Sequence, residues 1–133
     1  MSNLITFSIN SQILGVQVND VEKIMNFTLI TKIPGNKNYI EGVISYHDEI
    51  IPAVNLKKLL NLDGAEVSSE GQMIVINHNG RKAGVIVDEV REIEEVNDNV
   101  PFLKVKSQYV NSTIKLRDNM VSIINPEIVN IAD

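Results

Sequence analysis

Short runs of alternating apolar and polar residues, separated by polar turn residues, cover most of this chain. Leu4–Ile9 and Ile13–Val18 flank Asn-Ser at positions 10 and 11, and this pattern predicts a β-hairpin. Met73–Ile76 and Ala83–Val87 flank Asn-Gly at positions 79 and 80. Because Asn and Gly both tolerate the positive φ angles of a two-residue turn, a second hairpin is predicted there.

The segment from Gly42 to Leu60 predicts two strands, a tight turn and a short helix. Its two apolar strands flank the polar turn Tyr46–Glu49. Pro52 lacks an amide hydrogen and is therefore expected at a sheet edge or a bulge. Asn55 is an N-cap candidate, because leucines follow it at helical spacing with lysines between them.

The C-terminal segment repeats this arrangement. Ile114–Leu116 and Val121–Ile124 flank a polar turn, and Asn125 precedes a short helix predicted over Pro126–Ile131. Proline at the first helical position costs no hydrogen bond. The two similar endings indicate two similar subdomains, approximately 1–65 and 66–133, within one domain.

Three further segments complete the predicted elements. Val21 and Ile24 fall on one face of a helix predicted over Asp20–Met25. Leu29–Ile33 predicts a strand that ends at a Pro-Gly pair. Asp88–Glu95 predicts an edge strand with one solvated, acidic face. Many short strands with few brief helices indicate an all-β fold.

The composition excludes several classes of function. A chain of 133 residues is long enough for one domain with a stable core. Its net charge of −5 argues against a nucleic-acid surface, which needs clustered Lys and Arg. No window approaches the roughly 20 apolar residues of a membrane span, and no cysteine is present. We expect a soluble, cytoplasmic protein that binds no nucleic acid and inserts into no membrane.

Catalytic and metal-binding chemistry has little support. His47-Asp48, or His47 with His78, could form part of a metal site, but such sites usually need three or four ligands with defined spacing. No nucleophile can be paired with a base and an orienting group. An SH3-like domain that binds peptide or RNA usually displays clustered aromatic residues, and those of this chain are scattered. We expect no enzyme activity, metal or cofactor, and interpret the chain as a binding module.

A series of short motifs extends in one order over almost the whole chain. The motifs are Val21-Glu22-Lys23-Ile24, Gly42-Val43-Ile44, Ile50-Ile51-Pro52-Ala53, Asn55-Leu56-Lys57 and Gly84-Val85-Ile86-Val87-Asp88-Glu89-Val90. In this order they resemble the CheW family, the coupling proteins of bacterial chemotaxis. The resemblance implies two five-stranded, SH3-like β-barrels packed side by side. It also implies a non-enzymatic adaptor between the cytoplasmic tip of a chemoreceptor, a helical hairpin, and the regulatory domain of the histidine kinase CheA, at membrane-associated receptor arrays.

The resemblance also implies which residues bind each partner. The receptor-binding candidates by matched position are Val21, Lys23, Gly42 and His47, and Ile24 joins them as an apolar neighbour on the predicted first helix. The kinase-binding candidates, on the second signature strand, are Gly84, Asp88 and Val90.

Two receptor candidates depart from the family pattern. His47 stands where the family has Arg, and Lys23 stands where it has Glu. The alternative function is therefore a diverged interaction module in another signalling array, which has lost the typical receptor contact.

Overall fold

The computed structural model describes residues 2–131, and most of these residues lie in β-strands. The strands are β1 (Ser2–Ile9), β2 (Gln12–Gln17), β3 (Val21–Asn26), β4 (Ile40–Tyr46), β5 (Glu49–Asn55), β6 (Gln72–His78), β7 (Arg81–Val87), β8 (Glu89–Val96), β9 (Phe102–Lys104), β10 (Val110–Leu116) and β11 (Asn119–Ile124). The helices in the same range are α1 (Leu56–Leu59) and two 3₁₀ helices, Val18–Asp20 and Pro126–Asn130. The all-β prediction is confirmed.

The strands form two sheets with the same internal order. One sheet runs β8-β1-β2-β11-β10-β9 and the other runs β3-β6-β7-β5-β4. Each contains one parallel pair, β2 with β11 and β7 with β5. When the two parallel pairs are aligned, five strands of one sheet match five of the other. The order β8-β1-β2-β11-β10 corresponds to the order β3-β6-β7-β5-β4. The first sheet has one strand more than the predicted five, because β9 extends it.

Each sheet combines strands from both sides of residue 65. β1 and β2 join the C-terminal strands β8–β11, whereas β6 and β7 join β3–β5. Any division into two subdomains would follow the sheets and not the sequence halves. The single domain over residues 1–133 stays a prediction.

The largest apolar cluster contains side chains from both sheets. Phe7, Val16 and Ile124 of the six-stranded sheet belong to it together with Ile74 and Val85 of the five-stranded sheet, and each of these side chains is almost fully buried. Burial of such side chains is the main favourable term in folding. The two sheets are therefore held together by a common interior.

The predicted repeat of strand, turn, strand and capped helix is present in both sheets. The side chains of Asn55 and Asn125 each accept a backbone N–H from the first turn of the following helix. The backbone N–H of Asn55 donates to the carbonyl of Tyr39 at 2.7 Å, and that of Asn125 donates to Tyr109 at 2.8 Å. The second capped segment is a 3₁₀ helix, Pro126–Asn130.

The helix predicted over Asp20–Met25 is wrong, because these residues form a 3₁₀ turn followed by β3. A β-bulge between Val21 and Lys23 shifts the pairing of β3 with β6. The extra residue interrupts the strict alternation of a strand. The apolar residues consequently fall three or four positions apart, which is the spacing of a helix.

The strand predicted over Leu29–Ile33 is reduced to a single bridge between Thr31 and Val43. Leu29 is 83% exposed and Ile33 is 43% exposed, so their apolar side chains do not face a core. The acidic edge strand is confirmed as β8, which pairs with β1 at one edge of its sheet.

Candidate functional site

One end of the five-stranded sheet brings several predicted site residues together. β4 and β5 meet at the turn residues His47 and Asp48. Because β7 is parallel to β5, and β6 and β3 each reverse direction from their neighbour, the β6–β7 turn and the start of β3 lie at the same end. The structure therefore places Val21 and His47 at one end of one sheet.

Side chains from all five strands of this sheet form a polar network at this end. Asn77 Nδ2 donates to Glu22 Oε1 at 2.9 Å. Lys82 Nζ lies 3.6 Å from Glu22 Oε2 and 2.5 Å from Glu49 Oε2. The hydroxyl of Tyr46 also donates to Glu22. Lys82 thus bridges carboxylates on β3 and β5.

The network shifts the pKa values of Glu22, Tyr46 and Lys82, each in the direction that favours the protonation state in which the residue takes part in the network. The hydrogen bonds from Tyr46 and Asn77 lower the pKa of Glu22, with a further contribution from Lys82. The bond to Glu22 raises the pKa of Tyr46, and the bond to Glu49 raises the pKa of Lys82. Glu22 therefore stays ionised and Lys82 stays protonated around neutral pH.

His47 is exposed at the tip of the β4–β5 hairpin. Its φ is +44° and that of Asp48 is +63°, as a two-residue hairpin turn requires. The imidazole packs edge-on against the ring of Tyr46, with the ring centroids 4.4 Å apart and an interplanar angle of 76°. Because Tyr46 is buried and bonded to Glu22, the polar network also orients His47. An imidazole held in this way can donate or accept a hydrogen bond at the surface.

The other receptor candidates on β3 differ in accessibility. Lys23 and Ile24 are exposed, and Ile24 retains 39% of its accessible surface. Val21 is half-buried and packs against the cluster between the sheets. β3 is an edge strand that, among residues 2–131, pairs only with β6. Lys23 and Ile24 are thus the β3 candidates that a partner can reach.

Gly42 is needed for a local backbone contact. Its φ is +153°, and a Cβ at this position would lie 2.1 Å from the carbonyl oxygen of Thr31. Thr31 exchanges two backbone hydrogen bonds with Val43, each at 2.9 Å. Gly42 therefore lets the segment before β4 cross that strand closely. This contact inside the protein is enough to explain the glycine, and no contact with a binding partner is needed to account for it.

Gly84 is buried at the centre of the five-stranded sheet. It pairs with Val75 on one side and Ala53 on the other. A Cβ there would lie 3.2 Å from Cδ1 of Ile44. A partner cannot reach this residue, so its contribution is to close packing of the sheet.

Asp88 and Val90 both lie where the two sheets join. Asp88 accepts a hydrogen bond from the backbone N–H of Asn10 at 2.8 Å and pairs with Lys57 Nζ at 2.8 Å. The N–H of Val90 donates to the side-chain oxygen of Gln72 at 2.7 Å. Both residues thus connect elements of different sheets, and Val90 is half-buried.

The sequence analysis did not find the polar network itself. Glu22, Asn77 and Lys82 lie on three different strands, and no local pattern joins them. The one available signal was the position of Tyr46 and Glu49 on either side of a tight turn. Their partners are set by the strand order, which is a property of the tertiary structure.

The described residues contain neither a group of metal-ligating side chains nor a membrane-spanning helix. Within residues 2–131, no group of three or more His, Cys, Asp or Glu side chains is placed to hold a metal ion. In the same range, no helix is long and apolar enough to cross a membrane.

The family model of the CheW-like domain matches residues 3–130. The chain belongs to the CheW-like domain family. Members of this family named chemotaxis protein CheW include one from Bacillus subtilis, 32% identical over 95 residues, and one from Thermotoga maritima, 30% identical over 96 residues.

The extent of these matches differs between sequence and structure. The alignments cover 71% and 72% of this chain but 61% and 63% of the two relatives, so the chain spans about three fifths of their length. The scaffolding protein TtCheW from Thermoanaerobacter tengcongensis has a crystal structure with a TM-score of 0.84 and 30% identity. That superposition covers 93% of this chain and 88% of TtCheW. The CheW-like fold is therefore common to nearly the whole of both chains.

Proposed function

We propose that this CheW-like chain is a non-enzymatic adaptor that couples chemoreceptors to the histidine kinase CheA in bacterial chemotaxis. The observation that carries the proposal is the family match over residues 3–130, with a TM-score of 0.84 to a scaffolding protein of that family. In this role the protein acts in the cytoplasm, at membrane-associated receptor arrays. It would couple the two partners through differential binding to their states.

The receptor tip would bind at the polar end of the five-stranded sheet. Exposed Lys23 and Ile24 on β3 and exposed His47 in the turn supply a cation, an apolar contact and a hydrogen-bonding ring. Lys82 and Glu22 hold the β4–β5 hairpin against β3, so these contacts keep a constant spacing.

The regulatory domain of CheA would bind along the edge of the six-stranded sheet at β8. Val90 lies on this strand, and Ile93 is 65% exposed there. Gly84 is buried and Asp88 is paired with Lys57, so both would support this edge through the fold and not by contact with the kinase.

We further infer that each sheet curves towards an SH3-like barrel. After β3 the chain passes to Thr31, which bridges to β4 at the opposite edge of the sheet. After β8 it passes to β9, which pairs with β10 in the same way. The hydrogen bond between Tyr46 on β4 and Glu22 on β3 supports the approach of the two edges.

Calorimetric titration against the CheA regulatory domain and a receptor-tip helical hairpin tests the proposal. We expect binding to both, since an adaptor must engage each partner separately. His47→Arg should tighten hairpin binding by about tenfold, because a guanidinium can hold a carboxylate with two charge-assisted hydrogen bonds. His78→Arg is the matched control, because it adds a guanidinium at the same end of the sheet, at the end of β6 and outside the β4–β5 turn.

The titration also distinguishes the alternative of a diverged module. The observations that favour this alternative are Lys23 and His47 at positions where the family has Glu and Arg. A diverged module of another signalling array would not bind the hairpin, and His47→Arg would give no gain. Absence of binding to either partner, with the fold intact by circular dichroism, would overturn the adaptor function.

A further inference from the structure

One side of the β9 backbone is open. The N–H of Val105 donates to the carbonyl of Asn111 at 3.1 Å, so the backbone of Val105 faces β10. Backbone groups of successive strand residues point to opposite sides. The N–H and C=O groups of Phe102 and Lys104 therefore point away from β10. Within residues 2–131, no strand pairs with this side of β9.

The side chains along this edge are apolar and exposed. Phe102 is 64% exposed, Leu103 is 71% exposed and Val105 is 36% exposed. Phe102 and Val105 border a hollow that is also lined by Lys104, Lys106, Asn111 and Ser112. An exposed apolar edge strand with free hydrogen-bonding groups is a template for an added strand.

The charge around this edge is the reverse of that of the whole chain. The chain has a net charge of −5, yet the two charged residues at this edge, Lys104 and Lys106, are both cations. Lys104 and Lys106 are exposed at the edge itself. A strand that pairs here would therefore gain from carrying acidic side chains.

We propose that the β9 edge binds an extended, acidic segment of a partner protein, which adds to the six-stranded sheet as a further strand. The open N–H and C=O groups require an extended backbone in the partner, since a helix already uses its own backbone N–H and C=O groups in internal hydrogen bonds. The β9 edge of a second copy does not fit there, because pairing two β9 edges would bring lysines of like charge together. The proposal does not depend on the adaptor function, since it uses neither the end of the five-stranded sheet assigned to the receptor nor the β8 edge assigned to the kinase.

Selection of a random heptapeptide display library on the immobilised full chain tests this proposal. We expect enrichment of peptides in which Asp or Glu alternates with apolar residues. A synthetic peptide of the enriched consensus should shift the amide resonances of β9 and β10. The double variant Lys104→Glu, Lys106→Glu should bind it about tenfold more weakly or worse. No enrichment, a consensus without acidic residues, or shifts confined to other strands would overturn the proposal.

Two substitutions at one position separate strand addition from simple charge attraction. Lys104→Ala removes only the charge, whereas Lys104→Pro also removes an N–H that points away from β10 and leaves the β9–β10 bonds in place. We expect the proline variant to bind the consensus peptide at least about fivefold more weakly than the alanine variant. Equal affinities would contradict strand addition. N-methylation of the peptide at every second residue makes the same test on the wild-type chain. Of the two alternating sets of residues that can be methylated, we expect one set to abolish binding, because only that set directs its N–H groups towards β9.

Discussion

Gly42 is the residue at which backbone geometry most clearly restricts the choice of side chain. The carbonyl of Thr31 occupies the space where a Cβ would stand, and the φ of +153° is one that side chains disfavour. The family resemblance marks this glycine as a receptor candidate. The structure shows a sufficient reason for it inside the protein.

Replacing Gly42 with Ala should lower the free energy of unfolding by about 3 kcal/mol, because the methyl group meets backbone and not a flexible side chain. Gly35→Ala is the matched control, since Gly35 has a φ of +84° but no atom within 4 Å of the point where its Cβ would stand. That variant should lose only about 1 kcal/mol. Urea unfolding measures both values. Similar losses in the two variants would mean that the segment around Thr31 moves aside.

At the scale of elements, Asp88 joins three parts of the fold. It follows β7, and its carboxylate contacts Asn10 in the β1–β2 turn and Lys57 in α1. Burial raises the pKa of this carboxyl, but the hydrogen bonds from Lys57 and Asn10 outweigh burial, and the net pKa lies below its ordinary value of 3.8. The ionised form is therefore the one that the folded state stabilises.

This shift predicts a pH dependence of stability. Because the pKa is lower in the folded protein, the contribution of Asp88 is present above the ordinary value and is lost as the pH falls through the folded value. Asp88→Asn should cost at most about 1 kcal/mol at pH 7, since the carboxylate is partly exposed. The difference from wild type should shrink on moving from about pH 5 to pH 3. Urea unfolding at these pH values tests this, with Asp118→Asn as control, and a constant difference would contradict it.

At the scale of the whole molecule, the two sheets depend on each other. Each contains strands from both sides of residue 65, and the cluster around Phe7 and Ile74 belongs to both. Neither half of the sequence can complete a sheet alone. This interdependence favours a single cooperative unfolding transition.

The interdependence predicts the behaviour of fragments. Residues 1–65 and 66–133, expressed separately, should each lack stable tertiary structure, because each would leave strand edges and apolar faces uncovered. Mixing the two fragments should restore dispersed amide resonances. Circular dichroism and NMR spectra of the separate and mixed fragments provide the measurement. A folded, monomeric fragment on its own would show that a sequence half is a domain.

Local chemistry made much of the fold predictable from the sequence. The hairpin turns, the two Asn caps and the acidic edge strand depend on residues close together in the chain, whose conformational preferences act directly. The motifs from Val21 to Val90, in their order, carried the resemblance to the CheW family. The helix assigned to β3 failed for a local reason as well, since a bulge changes the spacing of apolar residues.

Only the tertiary structure decided which strands share a sheet and which candidates a partner can reach. Apolar burial has no direction, so alternating patterns do not specify a neighbour strand. The parallel pairs of β2 with β11 and β7 with β5 join distant segments, and the second of them brings Lys82 beside Glu49 in the polar network. The same packing buries Gly84 and pairs the carboxylate of Asp88 with Lys57. It leaves Lys23, Ile24 and His47 exposed. Exposure is set by what packs alongside a residue, and that is decided across the whole chain.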